Sequence, residues 1–466
     1  MSKKYIIVLC LVALFVIIFI AVWMKEKPLG RRPSEELIAQ FDSSSVTLMF
    51  FGVSADNKQV AYINRRSDKP FVVVNKRKEK EYDAIVEGSL IFSPEDGHLA
   101  YMAKEGDGWF VVVDGQEGKQ YDGIGMRSLI FSSDGKRLAY VVKEGDEWFV
   151  VVDGKEGKRY DDIGAGSLIF SPDNGHVAHG ARVGDRWFVV VDGKEGKQYD
   201  GLVEGTLVFS SDSKRMAYGA RLGNGWFVVV DGEEGKRYDD IALGSLIFSP
   251  DGERIAYRAQ AGDMWLVVVD GKEEKQYDDV GIVVFGPDGK RIAYWAQVGD
   301  KWFMVVDGEE GKQYDGVSTA VFGPHGERVA YWVRRDDKWF VVVDGKEGKQ
   351  YDGIAMSSIT FGPHGERVAY VARLGNRHFV VLDGEEGKQY DGVSRGTLTF
   401  SADGKHVAYV AREALKKFVV VDGKESRQYD AIITEMGGKF IFDSPDNFQY
   451  LAVKDWDVFL VRDRVK

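Results

Sequence analysis

Short apolar and polar runs alternate along most of this chain, and they return in the same order at a fixed interval. A Tyr-Asp pair marks that interval: of the nine spacings between successive pairs, seven are 39 residues and two are 37. The tyrosines of these pairs are Tyr82, Tyr121, Tyr160, Tyr199, Tyr238, Tyr277, Tyr314, Tyr351, Tyr390 and Tyr429. A period of this length indicates a repeat protein, in which each unit buries its apolar face against its neighbours.

One unit of the repeat contains four segments with the pattern of β-strands. They are Ser128–Phe131, Arg137–Val142, Trp148–Asp153 and Lys158–Ile163. Turn residues separate them, since Ser-Ser-Asp-Gly follows the first segment and Asp-Gly begins at the end of the third. Four antiparallel strands in about 40 residues predict one blade of a β-propeller. A β-solenoid is the structural alternative, although its coils are usually shorter and contain fewer hairpin turns.

The two ends of the repeat array each hold part of a unit. Gln40-Phe41-Asp42 aligns with the Gln-Tyr-Asp of later units, so this segment predicts a fourth strand that lacks its first three. The C-terminal end predicts the three missing strands, which are Lys439–Asp443, Gln449–Lys454 and Asp457–Val461. We therefore expect an all-β propeller over residues 36–466, closed by residues 36–46 pairing with the C-terminal blade, so that no sheet edge is left unpaired.

The number of units is large for this fold. Counting fourth strands gives eleven, whereas propellers typically have four to eight blades. One ring of about eleven four-stranded blades is one interpretation, and two rings of five and six blades are the other. The two 37-residue spacings lie between residues 277 and 351 and would mark a seam in the second case. No linker-like sequence interrupts the repeats, so we predict one ring.

The N-terminal residues predict a membrane anchor. Residues 5–24 contain no charged side chain, and twenty helical residues match the thickness of a bilayer's hydrocarbon core. Residues 1–4 form a short basic tail before this transmembrane helix, and residues 25–35 form a polar linker after it. A cleaved signal peptide is the alternative, but the apolar run is longer than a usual signal core and no A-x-A-like site follows it. We expect an uncleaved single-pass helix in the inner (cell) membrane.

The charges beside the predicted helix bear on its orientation. Two lysines precede the span and four basic residues follow it, a count that favours a cytoplasmic body when taken alone. A short basic head before a long apolar run instead resembles an export signal. We predict that the propeller lies on the periplasmic or extracytoplasmic side.

Charge and cysteine content narrow the class of partner. Residues 1–32 carry a net charge of +5, so residues 33–466 carry −16. An acidic body is poorly suited to nucleic acid, whose binding depends on neutralising phosphates with Lys and Arg. The single cysteine, Cys10, lies in the predicted span, so disulfides are not expected.

A turn of the type Phe-Ser-Pro-Asp-Gly, followed by an Ala-Tyr strand, is the most recognisable part of the unit. It occurs unchanged at Phe248–Tyr257 and with one substitution at Phe285–Tyr294 and Phe400–Tyr409. The pattern resembles the repeat of TolB-type and WD-repeat-like bacterial β-propellers over about residues 46–460. The resemblance implies a propeller used mostly for protein–protein contacts. The units do not end in the Trp-Asp dipeptide of WD repeats, and we expect neither the α/β domain of TolB nor a fused hydrolase domain.

A tryptophan recurs where the loop between the second and third strands ends. These residues are Trp109, Trp148, Trp187, Trp226, Trp265, Trp302 and Trp339. Pro70, His378 and Lys417 take the same position in outer copies. In propellers of this class these loops share one face with the connections between blades, so the tryptophans predict an aromatic ring that binds basic or sugar-bearing groups of a partner. The acids near them are Asp107, Asp146, Asp185, Asp263 and Asp300. Packing of each indole in the wedge between two blades is the alternative interpretation.

Recurrent aspartates and scattered histidines are the other candidates for chemistry. The Asp of Val-Asp-Gly, as in Asp153, predicts a turn rather than a Ca²⁺ ligand, because its loop also carries two lysines. The Asp after Tyr predicts a hydrogen bond to the glycine turn that follows, as in Asp122-Gly123. His176 and His179 lie close in sequence, but no third ligand accompanies them, so neither a metal site nor a cofactor is predicted.

The sequence favours a binding function over catalysis. No glycine pattern for phosphates or dinucleotides is present. We expect a non-catalytic, membrane-anchored scaffold for a protein or a cell-envelope polymer. A propeller-class enzyme, such as a glycan lyase or hydrolase working in the central channel, is the second possibility, with irregular positions near His176, His179, His378 and Glu435. A purely structural spacer is the third.

Overall fold

The computed structural model describes residues 33–40, 51–65, 69–434 and 438–465, and all regular secondary structure in these ranges is β-strand. The strands form eleven sheets, each a blade whose strands pair in the order a, b, c, d. We number the blades 1 to 11 from residue 51, and blade 11 takes its strand d from the N-terminal side of the chain. The predicted all-β propeller with eleven four-stranded blades is confirmed.

Strands b and c form the centre of every blade, and both of their faces are apolar. Strand b spans Val60–Asn64, Leu99–Glu105, Leu138–Glu144, Val177–Val183, Met216–Leu222, Ile255–Ala261, Ile292–Val298, Val329–Arg335, Val368–Leu374, Val407–Glu413 and Asn447–Lys454. Strand c spans Phe71–Val74, Gly108–Val113, Glu147–Val152, Arg186–Val191, Gly225–Val230, Met264–Val269, Lys301–Val306, Lys338–Val343, Arg377–Leu382, Lys416–Val421 and Asp457–Arg464. Successive residues such as Phe188, Val189 and Val190 are all buried, because a neighbouring blade covers each face of the sheet.

Strand a is split into two segments in blades 2 to 11, and strand d is short. The first segment of strand a spans Ala84–Ile85, Gly123–Ile124, Asp162–Ile163, Gly201–Leu202, Asp240–Ile241, Asp279–Val280, Gly316–Val317, Gly353–Ile354, Gly392–Val393 and Ala431–Ile433. The second spans Ile91–Phe92, Ile130–Phe131, Ile169–Phe170, Val208–Phe209, Ile247–Phe248, Val284–Phe285, Val321–Phe322, Thr360–Phe361, Thr399–Phe400 and Ile441–Ser444, and blade 1 has Phe51–Val53. Strand d spans Arg77–Glu81, Gln116–Glu117, Lys155–Glu156, Lys194–Glu195, Glu233–Glu234, Lys272–Tyr277, Glu309–Glu310, Lys346–Glu347, Glu385–Glu386, Lys424–Glu425 and, in blade 11, Ser34–Gln40.

The boundary between blades differs from the one that the sequence predicted. Lys158–Ile163 was expected to form a single fourth strand, but Tyr160 bridges strand c of blade 3 whereas Asp162–Ile163 pairs with strand b of blade 4. Asp161 makes the transition, because its N–H donates to the carbonyl oxygen of Arg182 at 3.0 Å. The polar end of the predicted strand therefore begins the next blade, and the pleat of one strand does not continue through it.

The eleven blades form one closed ring. Eleven apolar clusters each join two neighbouring blades, and ten of them link blade 1 to blade 2 and so on to blade 11. The remaining cluster holds Ile38, Val60 and Leu460 and joins blade 11 back to blade 1. The single ring predicted from the uninterrupted repeats is therefore observed, and the two-ring alternative is excluded.

Strand d of blade 11 closes the ring from the N-terminal side. Ser34–Gln40 pairs antiparallel with Asp457–Arg464, and a bulge lies between Leu37 and Ala39. Ser34 and Glu35, which the sequence placed at the end of the linker, belong to this strand because their backbones continue its ladder. Phe41 and Asp42 lie outside the described residues.

Ion pairs between successive d strands tie the blades together along one edge. Lys119 Nζ lies 2.5 Å from Glu156 Oε1 of the next blade, and the hydroxyl of Tyr121 donates to the same carboxylate at 3.2 Å. At the closing blade Arg427 and Tyr429 make the corresponding contacts to Glu35 at 3.0 and 2.7 Å. The equivalent pairs are Lys80–Glu117, Lys158–Glu195, Lys197–Glu234, Lys236–Glu273, Lys275–Glu310, Lys312–Glu347, Lys349–Glu386 and Lys388–Glu425. The repeated surface sequence thus has a structural role.

The predicted membrane helix lies outside the part of the chain that the structure describes, as do the basic tail and most of the linker. Within the described ranges, no helix is long and apolar enough to cross a membrane. The anchor therefore stays a prediction from the sequence of residues 5–24.

Candidate functional site

The turns between strands b and c lie at the same end of the ring as the Tyr-Asp pairs. Asp161, which follows Tyr160 in blade 3, accepts a hydrogen bond from the N–H of Gly184 in the b–c turn of blade 4 at 2.6 Å. Asp122 accepts from Gly145 of the next blade in the same way at 2.7 Å, and not from the glycine that directly follows it, as was predicted. These aspartates hold each b–c turn against the preceding blade.

The Val-Asp-Gly aspartates lie at the opposite end and stabilise the c–d turns. Asp153 has a φ of 51°, and its Oδ1 accepts from the N–H of Leu138 at 3.0 Å. Its Oδ2 accepts from Arg137 Nε at 2.9 Å, and that guanidinium also donates to the carbonyl oxygen of Asn174 in the next blade. An Asp tolerates this left-handed backbone because its short side chain bonds locally.

The histidines do not form a common site. His176 takes the place of Arg137 in its blade, with Nδ1 2.7 Å from Asp192 Oδ2. His98 and His406 pair with Asp114 and Asp422 in the same manner. Among the described residues, no group of three His, Cys, Asp or Glu side chains is arranged to hold a metal ion. Glu435 lies outside the described residues.

Replacing His176 by Arg should stabilise blade 4 more at high pH than at low pH. The hydrogen bond to Asp192 raises the pKa of His176, so this charge pair contributes below about pH 6.5 and is lost as the pH rises. An Arg keeps its charge, but both side chains are partly exposed, so we expect a gain of about 0.5 kcal/mol at pH 9 and less at pH 6. Thermal unfolding of wild type and His176→Arg at both pH values measures it, and an equal difference at the two would contradict the assignment.

The seven predicted tryptophans begin strand c of blades 2 to 8 and are half-buried. Five of them, Trp148, Trp226, Trp265, Trp302 and Trp339, pack against the apolar cluster between their own blade and the next. The wedge interpretation therefore describes most of these indoles. The predicted acids Asp107, Asp146, Asp185, Asp263 and Asp300 lie beside them in the b–c turns and are exposed.

One position in strand b determines how far these indoles are covered by their own blade. In blades 7 and 8 that position holds Trp295 and Trp332, whose rings lie 4.5 and 4.7 Å from the rings of Trp302 and Trp339. The facing position in strand a changes with it, since a Cβ on Gly281 would lie 1.9 Å from Trp295 Nε1. The two positions therefore fill a shared space.

Blade 4 has no side chain at either position, and Leu202 of blade 5 reaches to within 3.0 Å of a Cβ placed on the strand b residue. Its strand a residue is Gly164 and its strand b residue is Gly180, whereas blades 2, 3 and 5 to 11 have a larger side chain in at least one of the two positions. The pairs in those blades are Val86/Met102, Gly125/Val141, Val203/Gly219, Ala242/Arg258, Gly281/Trp295, Ser318/Trp332, Ala355/Val371, Ser394/Val410 and Ile433/Leu451. The cluster between blades 4 and 5 is also the smallest, with six buried residues against nine or more elsewhere.

A cleft of about 370 Å³ opens between blades 4 and 5 as a result. Gly164 and Gly180 form its floor, and a Cβ on Gly164 would lie 3.6 Å from the six-membered ring of Trp187. Trp226 and Leu202 of blade 5 form the other wall. The cleft falls within the range of about 300–1,000 Å³ that small-molecule sites occupy. Two of the seven predicted tryptophans are thus brought together, and we call this space the blade 4–5 cleft.

Polar groups of both charge signs line the blade 4–5 cleft. The Arg221 guanidinium lies 5.2 Å from the ring centre of Trp226 and makes no hydrogen bond or ion pair with any described residue. In blades 4 and 9 the equivalent arginines donate to a turn carbonyl, as Arg373 does to Gly375 at 2.8 Å. The exposed Glu204 also has no partner among the described residues, whereas Asp200 pairs with Arg186. The cleft therefore contains one donor group and one acceptor group that are uncommitted, meaning that neither has a hydrogen-bond or ion-pair partner among the described residues.

Sequence reasoning identified Trp187 and Trp226 but missed the residues that distinguish their surroundings. Gly180 would have been found by comparing the units position by position, since most units have a bulky residue there, whereas Arg221 is shared with several units and gives no such signal. His378 takes the tryptophan position in blade 9, and burial lowers its pKa. The remaining predicted residue near the cleft, His179, faces blade 3 and contacts Tyr160 instead.

Comparisons with known proteins bear on the fold. No protein-family model matches the sequence, and a comparison with curated proteins finds no match. A crystal structure of a eukaryotic initiation factor is similar with a TM-score of 0.40 and 12% identity, over 72% of this chain and 96% of that chain. TolB from Acinetobacter baumannii gives 0.25 and 16%, over 53% and 77%. The β-propeller domain of the Trilobed protease from Pyrococcus furiosus gives 0.29 and 16%, over 58% and 96%. TolB and other propellers are thus among the similar structures, as the resemblance implied, and the fold itself rests on the strand order of the eleven sheets.

Proposed function

We propose that this protein is a non-catalytic binding scaffold, held at the inner (cell) membrane by residues 5–24, whose partner is a protein or a cell-envelope polymer. The blade 4–5 cleft is the observation that carries the proposal. It brings the partly exposed indoles of Trp187 and Trp226 to one space between two blades, together with Arg221 and Glu204, which have no hydrogen-bond or ion-pair partner among the described residues. Indoles and arginines are the side chains that contribute most often to binding energy at interfaces.

The electrostatics of the body support a partner other than nucleic acid. The described blades belong to a segment with a net charge of −16, which would repel a phosphate backbone. The exposed aspartates of the b–c turns concentrate part of that charge at the tryptophan end. The membrane anchor and the extracytoplasmic placement are supported by the uncharged run and its basic head in the sequence.

Site-specific photo-crosslinking in intact cells tests the scaffold proposal. A photoreactive residue in place of Asp146 or Asp263 probes the tryptophan end. One in place of Lys155 or Lys272, which begin strand d, probes the opposite end as a matched control, since all four positions are exposed. We expect a reproducible crosslinked product from the first pair and none from the second. Products of equal yield from both ends, or from neither, would contradict a binding surface at the tryptophan end.

Protease access to intact spheroplasts tests the orientation. A protease cleavage site inserted in the exposed turn at Gly299-Asp300 should be cut without lysis if the propeller is extracytoplasmic. The same variant in lysed spheroplasts controls for access to the site. Protection in intact spheroplasts together with cleavage after lysis would place the propeller in the cytoplasm.

A further inference from the structure

We propose that the blade 4–5 cleft binds a neutral saccharide unit, one or two sugar rings in length, of a cell-envelope polymer. This inference rests on the scaffold function proposed above and names the chemistry that its site recognises. It draws on four observations: the glycine floor, the two flanking indoles, the uncommitted Arg221 and the uncommitted Glu204.

The shape of the cleft suits a flat ring. The floor of the cleft is backbone at Gly164 and Gly180, and the six-membered ring of Trp187 lies within van der Waals distance of a Cβ placed on Gly164. One face of a sugar ring carries mostly C–H bonds. Their hydrogens have a partial positive charge and are attracted to the electron-rich face of an indole. A volume of about 370 Å³ has room for a mono- or disaccharide but not for a folded segment of a protein.

The polar groups of the cleft favour a neutral ligand with hydroxyls. A guanidinium only donates hydrogen bonds and an ionised carboxylate only accepts them, whereas a hydroxyl does both. Arg221 and Glu204 can therefore each be satisfied by one polyhydroxylated ligand. An anionic ligand would be repelled by Glu204 and Asp200, and a cationic ligand would be repelled by Arg221.

The interface between blades 3 and 4 suggests two substitutions that would fill the cleft without disturbing the fold. Val141 of blade 3 and Ile163 of blade 4 occupy the positions of Gly180 and Leu202 and pack in one apolar cluster. Gly180→Val together with Leu202→Ile therefore reproduces a pairing that this ring already contains. The change of Leu202 is needed because its Cδ1 lies 3.0 Å from a Cβ placed on Gly180.

The test uses the full-length protein in lipid nanodiscs, because detergents with sugar headgroups would compete for the site. Cellobiose and the disaccharide of N-acetylglucosamine are added at millimolar concentration, and saturation transfer from protein to sugar protons is recorded by NMR. We expect transfer to at least one disaccharide, a loss of about tenfold or more in affinity in Gly180→Val/Leu202→Ile, and a weaker loss in Trp187→Phe. Trp148→Phe, at the same position of blade 3, should bind as wild type does.

Two outcomes would overturn the saccharide site: no transfer to either disaccharide, or equal transfer to wild type and Gly180→Val/Leu202→Ile. Thermal unfolding of the double variant at or above the wild-type temperature shows that it is folded. The photo-crosslinking experiment separates this inference from the proposed function. A crosslinked partner at the tryptophan end without disaccharide binding refutes the saccharide site alone, and the absence of both refutes the scaffold as well.

Discussion

Lowering the pH from 7.5 to 5 should destabilise the wild-type ring by about 2 kcal/mol more than a His179→Tyr variant, because His179 binds a proton in the unfolded chain but stays neutral in the apolar interface of the folded ring. His179 lies in strand b of blade 4 and is only 7% exposed. Neither of its ring nitrogens has a hydrogen-bond partner, and burial lowers its pKa to about 4. The unfolded chain binds that proton near pH 6.5.

The sign of the effect follows from the direction of this shift. Because the folded-state pKa of His179 lies below the unfolded value, the unfolded state gains protons first as the pH falls from 6.5 toward 4. Stability is therefore lost over that window and is unaffected by His179 above it. The titratable side chain in ring contact with His179 is Tyr160, whose pKa burial raises to about 12, so it stays neutral throughout.

Tyrosine is the natural replacement because it occupies this position in each of the other ten blades. Tyr140 and Tyr218 are the nearest examples, and both are buried. The larger ring fills the volume that the imidazole leaves, and it removes two unsatisfied polar atoms, so the variant should also be more stable at pH 7.5 by about 1–3 kcal/mol. Urea unfolding of both proteins at pH 7.5 and pH 5 measures the two effects. A difference between them that does not grow on acidification would refute the assignment of acid sensitivity to His179.

Much of the fold could be predicted because the Tyr-Asp pairs recur at a nearly constant spacing. The spacing of Tyr121 and Tyr160 predicted the length of one blade, and the Asp-Gly pairs predicted its hairpin turns. The partial units at the two ends predicted that the ring closes in a shared blade. The ring size also followed, since no linker interrupts the array. Strand identity at the blade boundary could not be predicted, because a polar run such as Asp161-Asp162 reads equally well as the end of one strand or the start of the next. Hydrogen bonds to the following blade decide the matter, and they connect residues about 20 positions apart.

The candidate site was harder to predict than the fold for a related reason. A recurrent residue such as Trp148 is easy to recognise in a repeat. Residues that recur in every unit, however, are mostly those that make the packing contacts which all blades share. The blade 4–5 cleft arises instead from what two positions lack, Gly164 and Gly180, and these face each other only when strands a and b pair. An exception to the repeat is therefore more informative about function than the repeat itself. Arg221 shows the same point, because its sequence is ordinary and only its missing hydrogen bonds distinguish it.

Removing residues 1–40 should open the ring, whereas removing residues 1–32 should leave it closed. The shorter truncation keeps strand d of blade 11, and the longer one deletes it. That strand places Ala39, fully buried, and Ile38 in the cluster between blades 11 and 1, and its Glu35 accepts hydrogen bonds from Arg427 and Tyr429. Burial of the two apolar side chains together with a charge-assisted hydrogen bond is worth at least about 3 kcal/mol.

The longer truncation also exposes the whole edge of Asp457–Arg464, which Ser34–Gln40 otherwise covers, and an unpaired edge of eight residues promotes association. We expect the chain without residues 1–40 to unfold at lower urea concentration and to elute as dimers or larger species, while the chain without residues 1–32 is monomer-like and stable. Ala39→Asp in the full-length protein separates closure from truncation, because a charge at this buried position should weaken the same interface without removing any backbone pairing. Equal urea midpoints for the two truncated chains would show that the N-terminal strand adds nothing to the ring, and the stability of blade 11 would then have to come from its contacts with blade 10 through residues such as Val410 and Tyr450.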